Sequence, residues 1–432
     1  MTQRKKIKPK ERQRNHPLVA VDFGGSGIKV MAAEMRDNYL HILGVEQKEK
    51  YGFVEQGIVV QTTDAGTHLS RLLHLLNNRI GRNDEQPLDR VFATVGGRLL
   101  QVCDVSVKRN QISRNYISQQ LKDDMLNECR QKIEGKYPQM RVLSITPIVY
   151  ILDGIEQDDE PLPTQKAKEF EIIYNVFVGL KEQEEKTVAG IARANRDIEE
   201  WWVRPEALAS ALIVEQESEE GAAIIDFGAT TTTLSIFKNG RFLHNRVITK
   251  GGYDITRDLQ SQRISFQHAE LLKCKYGVAA EKFVTQSANF KIPCAEKEQG
   301  FVLLTSDMVA RMIQLRLTEI LTPIMKDIAH FEQDIQHVFI TGGGSMLKGL
   351  VDYVQELTPL KVEYGSHEQW LDPATADEYF EPRYASLVGT LAMAADYREH
   401  HAEGEVKVEK HFLDDAINKV SKWVEITFTA QE

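Results

Sequence analysis

Two stretches of this chain carry residue types suited to holding phosphate. The first is Leu18 to Lys29, LVAVDFGGSGIK, with Asp22, Gly24, Gly25, Ser26, Gly27 and Lys29. The second is Ala223 to Thr233, AIIDFGATTTT, with Asp226, Gly228, Thr230 and Thr231. In each, a short apolar run leads into Asp-Phe-Gly and then into small or hydroxylated residues. Apolar, β-branched residues on both sides of a polar, Gly-containing turn predict a β-hairpin. Glycine there lets the backbone approach a ligand that a side chain would exclude. The turn's amides and hydroxyls then donate to phosphate oxygens. An aspartate at the strand end is placed to hold a divalent metal through water, because Mg²⁺ takes oxygen ligands and keeps part of its shell. Asp22 and Asp226 are those aspartates. Either turn alone reads equally as an ordinary hairpin. Their repetition points to two duplicated lobes facing one another across a nucleotide.

A third glycine cluster follows the predicted strand His337 to Ile340, in TGGGSMLKGL. Gly342, Gly343 and Gly344 remove every Cβ at a strand-to-helix turn, which leaves room for a base or ribose against the backbone. Upstream, VITKGGYDITRDL predicts a strand that gives way at Gly251 and Gly252 to a helix. A further predicted helix carries Glu270 and Lys273, three residues apart and so on one face. That pair reads either as a surface ion pair or as polar groups reaching a ribose and base. The chain has no G-x-x-x-x-G-K-S/T, and DFGGSG does not match the dinucleotide pattern G-x-G-x-x-G.

The elements that must position these turns are those of an α/β protein. At 432 residues the chain is long enough for two to four domains and a large core. Its net charge of −10 argues against general nucleic-acid binding, so no nucleic-acid partner is expected. Cys103, Cys129, Cys274 and Cys294 lack metal-ligand spacing, which fits a reducing compartment. No signal peptide or membrane-length apolar run is read. Leu69, Leu72, Leu73, Leu75, Leu76 and Ile80 predict a helical face. Ile117, Leu121, Met125, Cys129 and Ile133 recur every four residues and predict another, inside a stretch whose short strands suggest an inserted α+β module. Lys186 to Trp201 is read as a helix, Glu215 to Glu220 as a solvated linker between lobes, and Met308 to Ile328 as a long helix.

The two ends differ from the body. Seven Lys or Arg lie between Arg4 and Arg14 against one Glu, which predicts a solvated basic tail or one attracted to an anionic surface. Beyond a charged linker, Phe412, Leu413, Ile417, Val420, Trp423, Val424 and Phe428 share one helical side. An amphipathic helix with Trp and Phe suits insertion at a bilayer interface, and reads otherwise as a helix docked on the body.

These elements in this order resemble the actin-like ATPase superfamily, and more closely the bacterial cell-division family FtsA. The similar motifs are DFGGSGIK, TPIVYILDG from Thr146, LASA from Leu208, DFGATTTTLSIFKNG, GGYDITRDL, AELLKCKYG from Ala269, TGGGSMLKGL and PRYASLVG from Pro382. The resemblance implies an actin-like (ribonuclease H-like, duplicated) two-lobed nucleotide-binding fold with an inserted small α+β subdomain. The expected divisions are a tail at 1–16, a first lobe at 17–87 and 180–215, and the insertion at 88–179. A second lobe follows at 216–257 and 337–398, its small subdomain at 258–336, and a linker and amphipathic helix at 399–432.

By the same likeness, ATP and Mg²⁺ occupy the cleft. Asp22 and Asp226 organise the metal through water. Gly24, Gly25, Ser26, Gly27, Gly228, Thr230 and Thr231 cradle phosphates. Lys29 offsets phosphate charge or forms a salt bridge. Gly252, Glu270, Lys273, Gly343, Gly344 and Ser345 hold the nucleoside. The resemblance further implies a filament of head-to-tail copies on the cytoplasmic face of the cell membrane at the division site. That filament would tether FtsZ, near 258–336, to anionic lipid, and meet later division proteins through 88–179. A pilus-assembly scaffold of the PilM kind and a small-molecule kinase of the same superfamily are the alternatives.

Departures from the pattern bear on catalysis. Ala229 replaces a glycine, and Thr233 stands where an acid is expected. Relatives place Gln or Glu just before a proline ahead of LASA, to orient the attacking water. Here the segment is Arg204-Pro205-Glu206-Ala207, and an ungapped reading gives that role to Glu206; with Arg204 there instead, the water has no base. At most a weak ATPase is expected, turning over below roughly 1 s⁻¹.

Overall fold

In the chain's first hairpin, β1 (Leu18–Gly24) returns antiparallel as β2 (Gly27–Arg36), and β3 (Tyr39–Glu49) extends the meander. The computed structural model describes residues 16–49, 52–81, 88–110, 116–157, 159–295 and 300–402. The basic tail and the amphipathic segment at 411–428 lie outside the described residues. A short ribbon of β4 (Val54–Glu55) and β5 (Ile58–Val59) leads into helix α1 (Thr62–Arg79). Its Leu69, Leu72, Leu73 and Leu76 are buried while Leu75 faces solvent, the stripe an amphipathic helix lays on a sheet. Strand β6 (Arg90–Val95) then runs parallel to β1.

Between β6 and the rest of this sheet the chain makes a separate unit. It comprises β7 (Gln101–Asn110), α2 (Gln119–Lys136), β8 (Met140–Leu152), β9 (Ile155–Gln157) and β10 (Glu169–Leu180), with the strands ordered β7-β10-β8-β9. Met125, Cys129 and Ile133 of α2 pack on Phe170, Ile172 and Tyr174. Ile117 belongs to the same core but precedes the helix, because the Ser118 hydroxyl accepts from the Leu121 amide and starts it there.

Helix α3 (Lys181–Ala192) follows, and β11 (Asp197–Val203) closes the first sheet parallel to β6. The expected helix over Lys186 to Trp201 is therefore two elements. Asn195 turns the chain with φ 53°, and the next residues pair with the open edge of β6. Trp202 is buried there and stacks on Phe92 at 5.8 Å between ring centroids. That edge pairing and aromatic burial override the local helical propensity of the Glu-rich segment.

Helix α4 (Arg204–Leu212) is followed by α5 (Glu215–Glu220), the stretch expected to be a linker. The Glu217 carboxylate accepts from the Val214 amide at 3.0 Å, and Glu220 pairs with His337 at 2.6 Å. Capping and a sheet contact turn acidic residues into a helix that charge alone does not suggest.

The second sheet is built from β12 (Ala222–Phe227), β13 (Thr232–Lys238) and β14 (Arg241–Ile248). Helices α6 (Gly252–Gln260) and α7 (Phe266–Tyr276) come next, then the ribbon β15 (Asn289–Pro293) and β16 (Phe301–Thr305). The long α8 (Ser306–His330) buries Ile313, Leu317, Ile320, Leu321, Ile324 and Ile328. Strand β17 (His337–Thr341), α9 (Leu350–Gln355), β18 (Lys361–Tyr364) and α10 (Ala385–Ala402) complete the described chain.

The two large sheets have matching strand orders, β11-β6-β1-β2-β3 and β14-β13-β12-β17-β18. In each, an antiparallel meander is joined through its first strand to two parallel strands. A shared core lies between them, where Leu208 and Leu212 of α4 meet Ile224, Phe339 and Ala385. The two Asp-Phe-Gly hairpins thus sit at equivalent places in two sheets held by a common seam. No helix among the described residues is long and apolar enough to cross a membrane.

Candidate functional site

The register of β1 and β2 pairs Gly24 with Gly27, leaving Gly25 and Ser26 as the turn. In the second hairpin Phe227 pairs with Thr232, and Gly228 to Thr231 form the loop. Both tips face one cavity of about 440 Å³, within the usual range for ligand pockets. They also touch: a Cβ on Gly25 would lie 2.4 Å from Thr230 Oγ1. Glycine is what allows the two loops to meet.

The start of α6 anchors the second loop. The Gly252 amide donates to Gly228 O at 2.9 Å, and the Tyr253 amide to Ala229 O at 2.8 Å. The Asp254 carboxylate caps Gly251 at 2.8 Å. From α7, Lys273 reaches back to this turn, donating to Gly252 O at 3.0 Å, Thr256 Oγ1 at 2.9 Å and Glu270 Oε2 at 2.8 Å. Glu270 and Lys273 both line the cavity, so the pair is not merely a surface one.

Of the residues expected from sequence, the cavity brings together Asp22, Gly24, Gly25, Ser26, Gly27, Lys29, Asp226, Gly228, Thr231, Gly252, Glu270, Lys273, Gly343 and Gly344. Thr230 is turned against Gly25 and is not among the lining residues. Ser345 is fully buried, and its hydroxyl donates to Gly342 O at 2.6 Å. It ties the glycine turn rather than facing the cavity.

Glu206 is a correction. It is the third residue of α4, and its carboxylate folds back to accept from the Val203 amide at 3.2 Å and from the Ser144 hydroxyl. It is 4% exposed and does not line the cavity. Helix geometry aims it away: a side chain at the third position reaches its own N-cap. Replacing Glu206 by alanine is expected to leave ATP affinity within about twofold. It should lower stability by about 1–2 kcal/mol, through loss of the cap and of Ser144's acceptor. An ATP titration beside a urea melt checks both.

Arg204 occupies the cavity wall instead. Its Nη2 donates to Asp22 Oδ1 at 2.6 Å, while Asp22 Oδ2 lies 3.8 Å from Lys29 Nζ. Burial pushes the Asp22 carboxyl up, but Arg204 and Lys29 outweigh it and hold it below its ordinary value. At Asp226 burial wins and the carboxyl is pushed up, although Arg204 opposes the rise. Burial also works against the Arg204 charge, yet Asp22 and Asp226 together raise its pKa. For magnesium this donor set fits poorly. Both oxygens of Asp22 already face a cation, Arg204 at one and Lys29 at the other.

Tyr253, Met346 and Arg383 also line the cavity and were not singled out by sequence. Tyr253 packs under the Lys273 ammonium, 5.6 Å from ring centroid to Nζ. Its place in GGYDITRDL, directly after the glycines, was the available signal; nothing in spacing marks Met346 or Arg383.

A family model described as cell division protein FtsA matches residues 223–389, the part of the chain that holds Asp226 and the second and third glycine turns. The cell division protein FtsA of Bacillus subtilis (strain 168) is 25% identical over 413 residues, covering 94% of this chain and 89% of that protein. The FtsA of Neisseria meningitidis serogroup B is 22% identical, with 96% and 100% covered, and that of Escherichia coli (strain K12) 20% identical, with 95% and 98% covered. Among solved structures, a PilM–PilN type IV pilus biogenesis complex aligns with a TM-score of 0.61 at 17% identity, over 87% of this chain and 97% of that chain. MreB5 of Spiroplasma citri bound to ADP aligns with a TM-score of 0.52 at 11% identity, over 90% of this chain and 100% of that chain. Those structural likenesses show the fold: a mixed α/β architecture resembling the PilM and MreB structures. Proteins described as cell division protein FtsA thus match along nearly the whole length of this chain, which is similar to them from its first lobe to its last described helix.

Proposed function

We propose that this protein is an ATP-binding, filament-forming tether that holds FtsZ to the inner face of the cell membrane during division. The observation that carries the nucleotide part is the convergence of three glycine turns, from two sheets of matching order, on one cavity also lined by Glu270 and Lys273. The amides and hydroxyls of the hairpin tips are donors that suit phosphates, and the cradle made by Gly343, Lys273 and Glu270 suits a nucleoside. ATP is the nucleotide in this reading, and magnesium enters it as the companion ion of ATP in solution. With Glu206 turned away from the cavity, nucleotide serves chiefly as a polymerisation cofactor and turnover is weak.

The duplicated, ribonuclease H-like reading of the lobes belongs to the same proposal. Residues 17–87 with 180–215 form one lobe, and 216–257 with 337–398 the other. The insertion at 88–179 faces neighbouring copies and later division proteins, and 258–336 faces FtsZ. Phe412, Trp423 and Phe428 seat the filament on anionic lipid. A PilM-like scaffold shares the fold, but the sequence relatives are FtsA proteins.

Co-pelleting with anionic vesicles tests this reading. The full chain should pellet, and more so with ATP; a version ending at Lys410 should stay in the supernatant. Equal pelleting of both would move the anchor to the basic tail, and pelleting of neither would remove the membrane role.

A further inference from the structure

Arg204 is the first residue of α4 and sits where β11 ends beside β6 and β1. Its guanidinium crosses to the first hairpin, bonding Asp22 Oδ1 at 2.6 Å and Phe23 O at 3.4 Å. Among the described residues both of those bonds run through Nη2, and no hydrogen bond is made by Nε or Nη1. The side chain is 22% exposed and lines the cavity. Lys29, on the other oxygen of Asp22, lines it too. A built cation with donors to spare therefore stands between the two hairpins, bracketed by Asp22 and Asp226.

A triphosphate in this cleft needs positive charge to offset its own, and in most such sites a divalent metal supplies it. Here Arg204 and Lys29 bring the equivalent charge from the chain. A guanidinium stays protonated at any working pH, and its planar fork matches a pair of phosphate oxygens. Asp22 holds it in place, and both of its oxygens are engaged by cations of the chain rather than left for a metal.

We propose that Arg204 is a fixed counter-cation for the nucleotide's phosphates, so that this cleft binds nucleoside triphosphate without a divalent metal. The inference rests on the nucleotide reading above and adds a departure from it: metal dependence is replaced by an internal arginine. A guanidinium in that position supplies no carboxylate or amide of its own to orient water, in keeping with the weak turnover proposed above.

Titration of ATP into the full chain by calorimetry, once in excess magnesium and once in excess EDTA, tests it. For the wild type the two affinities should differ by less than about tenfold, or ~1.4 kcal/mol. Arg204→Gln should bind ATP in magnesium and lose at least about tenfold on chelation, with Arg204→Lys between the two. A wild-type loss of about tenfold or more on chelation overturns the proposal, and that comparison stands even if the variants fail to fold. Equal chelation losses in wild type and Arg204→Gln overturn it as well. Absence of ATP binding under both conditions would instead remove the nucleotide reading itself, and the inference with it.

Discussion

Replacing Gly343 by valine should leave the fold intact and abolish most of the ATP affinity. An added Cβ at this position meets no atom of the protein within 4 Å, although Gly343 lines the cavity. The new side chain therefore points into the space a nucleoside would fill. A loss of at least about 100-fold, or ~2.7 kcal/mol, is expected in ATP binding, because the added isopropyl group fills space that the nucleoside needs. Thermal denaturation without nucleotide should be unchanged. Its neighbour gives the contrast: a Cβ on Gly344 would lie 2.2 Å from Phe227 Cδ1 and 2.7 Å from Phe227 O. Gly344→Ala should therefore lower stability before any ligand is added. Calorimetric affinity and melting curves, measured side by side, separate the two roles. Full ATP affinity in Gly343→Val would place the nucleoside elsewhere.

The largest stability effect is expected at Gly389, where α10 crosses α4. A Cβ there would lie 1.8 Å from Ala207 O and 3.1 Å from Ala211 Cβ. Both obstacles belong to a buried helix in the seam between the lobes. The carbonyl cannot rotate away without breaking its helix, so the helices must separate. Gly389→Ala is expected to cost about 3 kcal/mol or more in chemical denaturation. Gly135→Ala is the matched control. Gly135 is exposed in α2 with nothing within 4 Å of an added Cβ, and the change should stabilise by about 0.5–1 kcal/mol. A Gly389→Ala variant as stable as wild type would mean that the seam can open without penalty.

Much of the site was legible along the chain because its parts are local. A hairpin that presents Asp, Gly and hydroxyls is specified by a dozen consecutive residues, and so is the glycine turn after β17. Helix α8 was equally plain, since its apolar positions recur at a spacing that only a helix brings to one face. Where local signals were mixed, they misled. The segment holding Trp201 and Trp202 is charged and helix-compatible, yet the edge of β6 claimed it as a strand. The acidic run at Glu215 had the composition of a linker and became a capped helix.

By itself, then, the sequence determined the kernel: two Asp-Phe-Gly hairpins, a third glycine turn, and strongly periodic helices such as α1 and α8. Tertiary structure alone decided which side chains face the cavity. Glu206 and Arg204 are two positions apart, and no periodicity says which turns inward at the start of a helix. The capping geometry of α4 took Glu206 back to Val203, while Arg204 found Asp22 across a separation of 182 residues. Such a choice depends on the placement of strands that meet only after folding, because burial of an unpaired carboxylate or guanidinium is too costly to leave either without a partner.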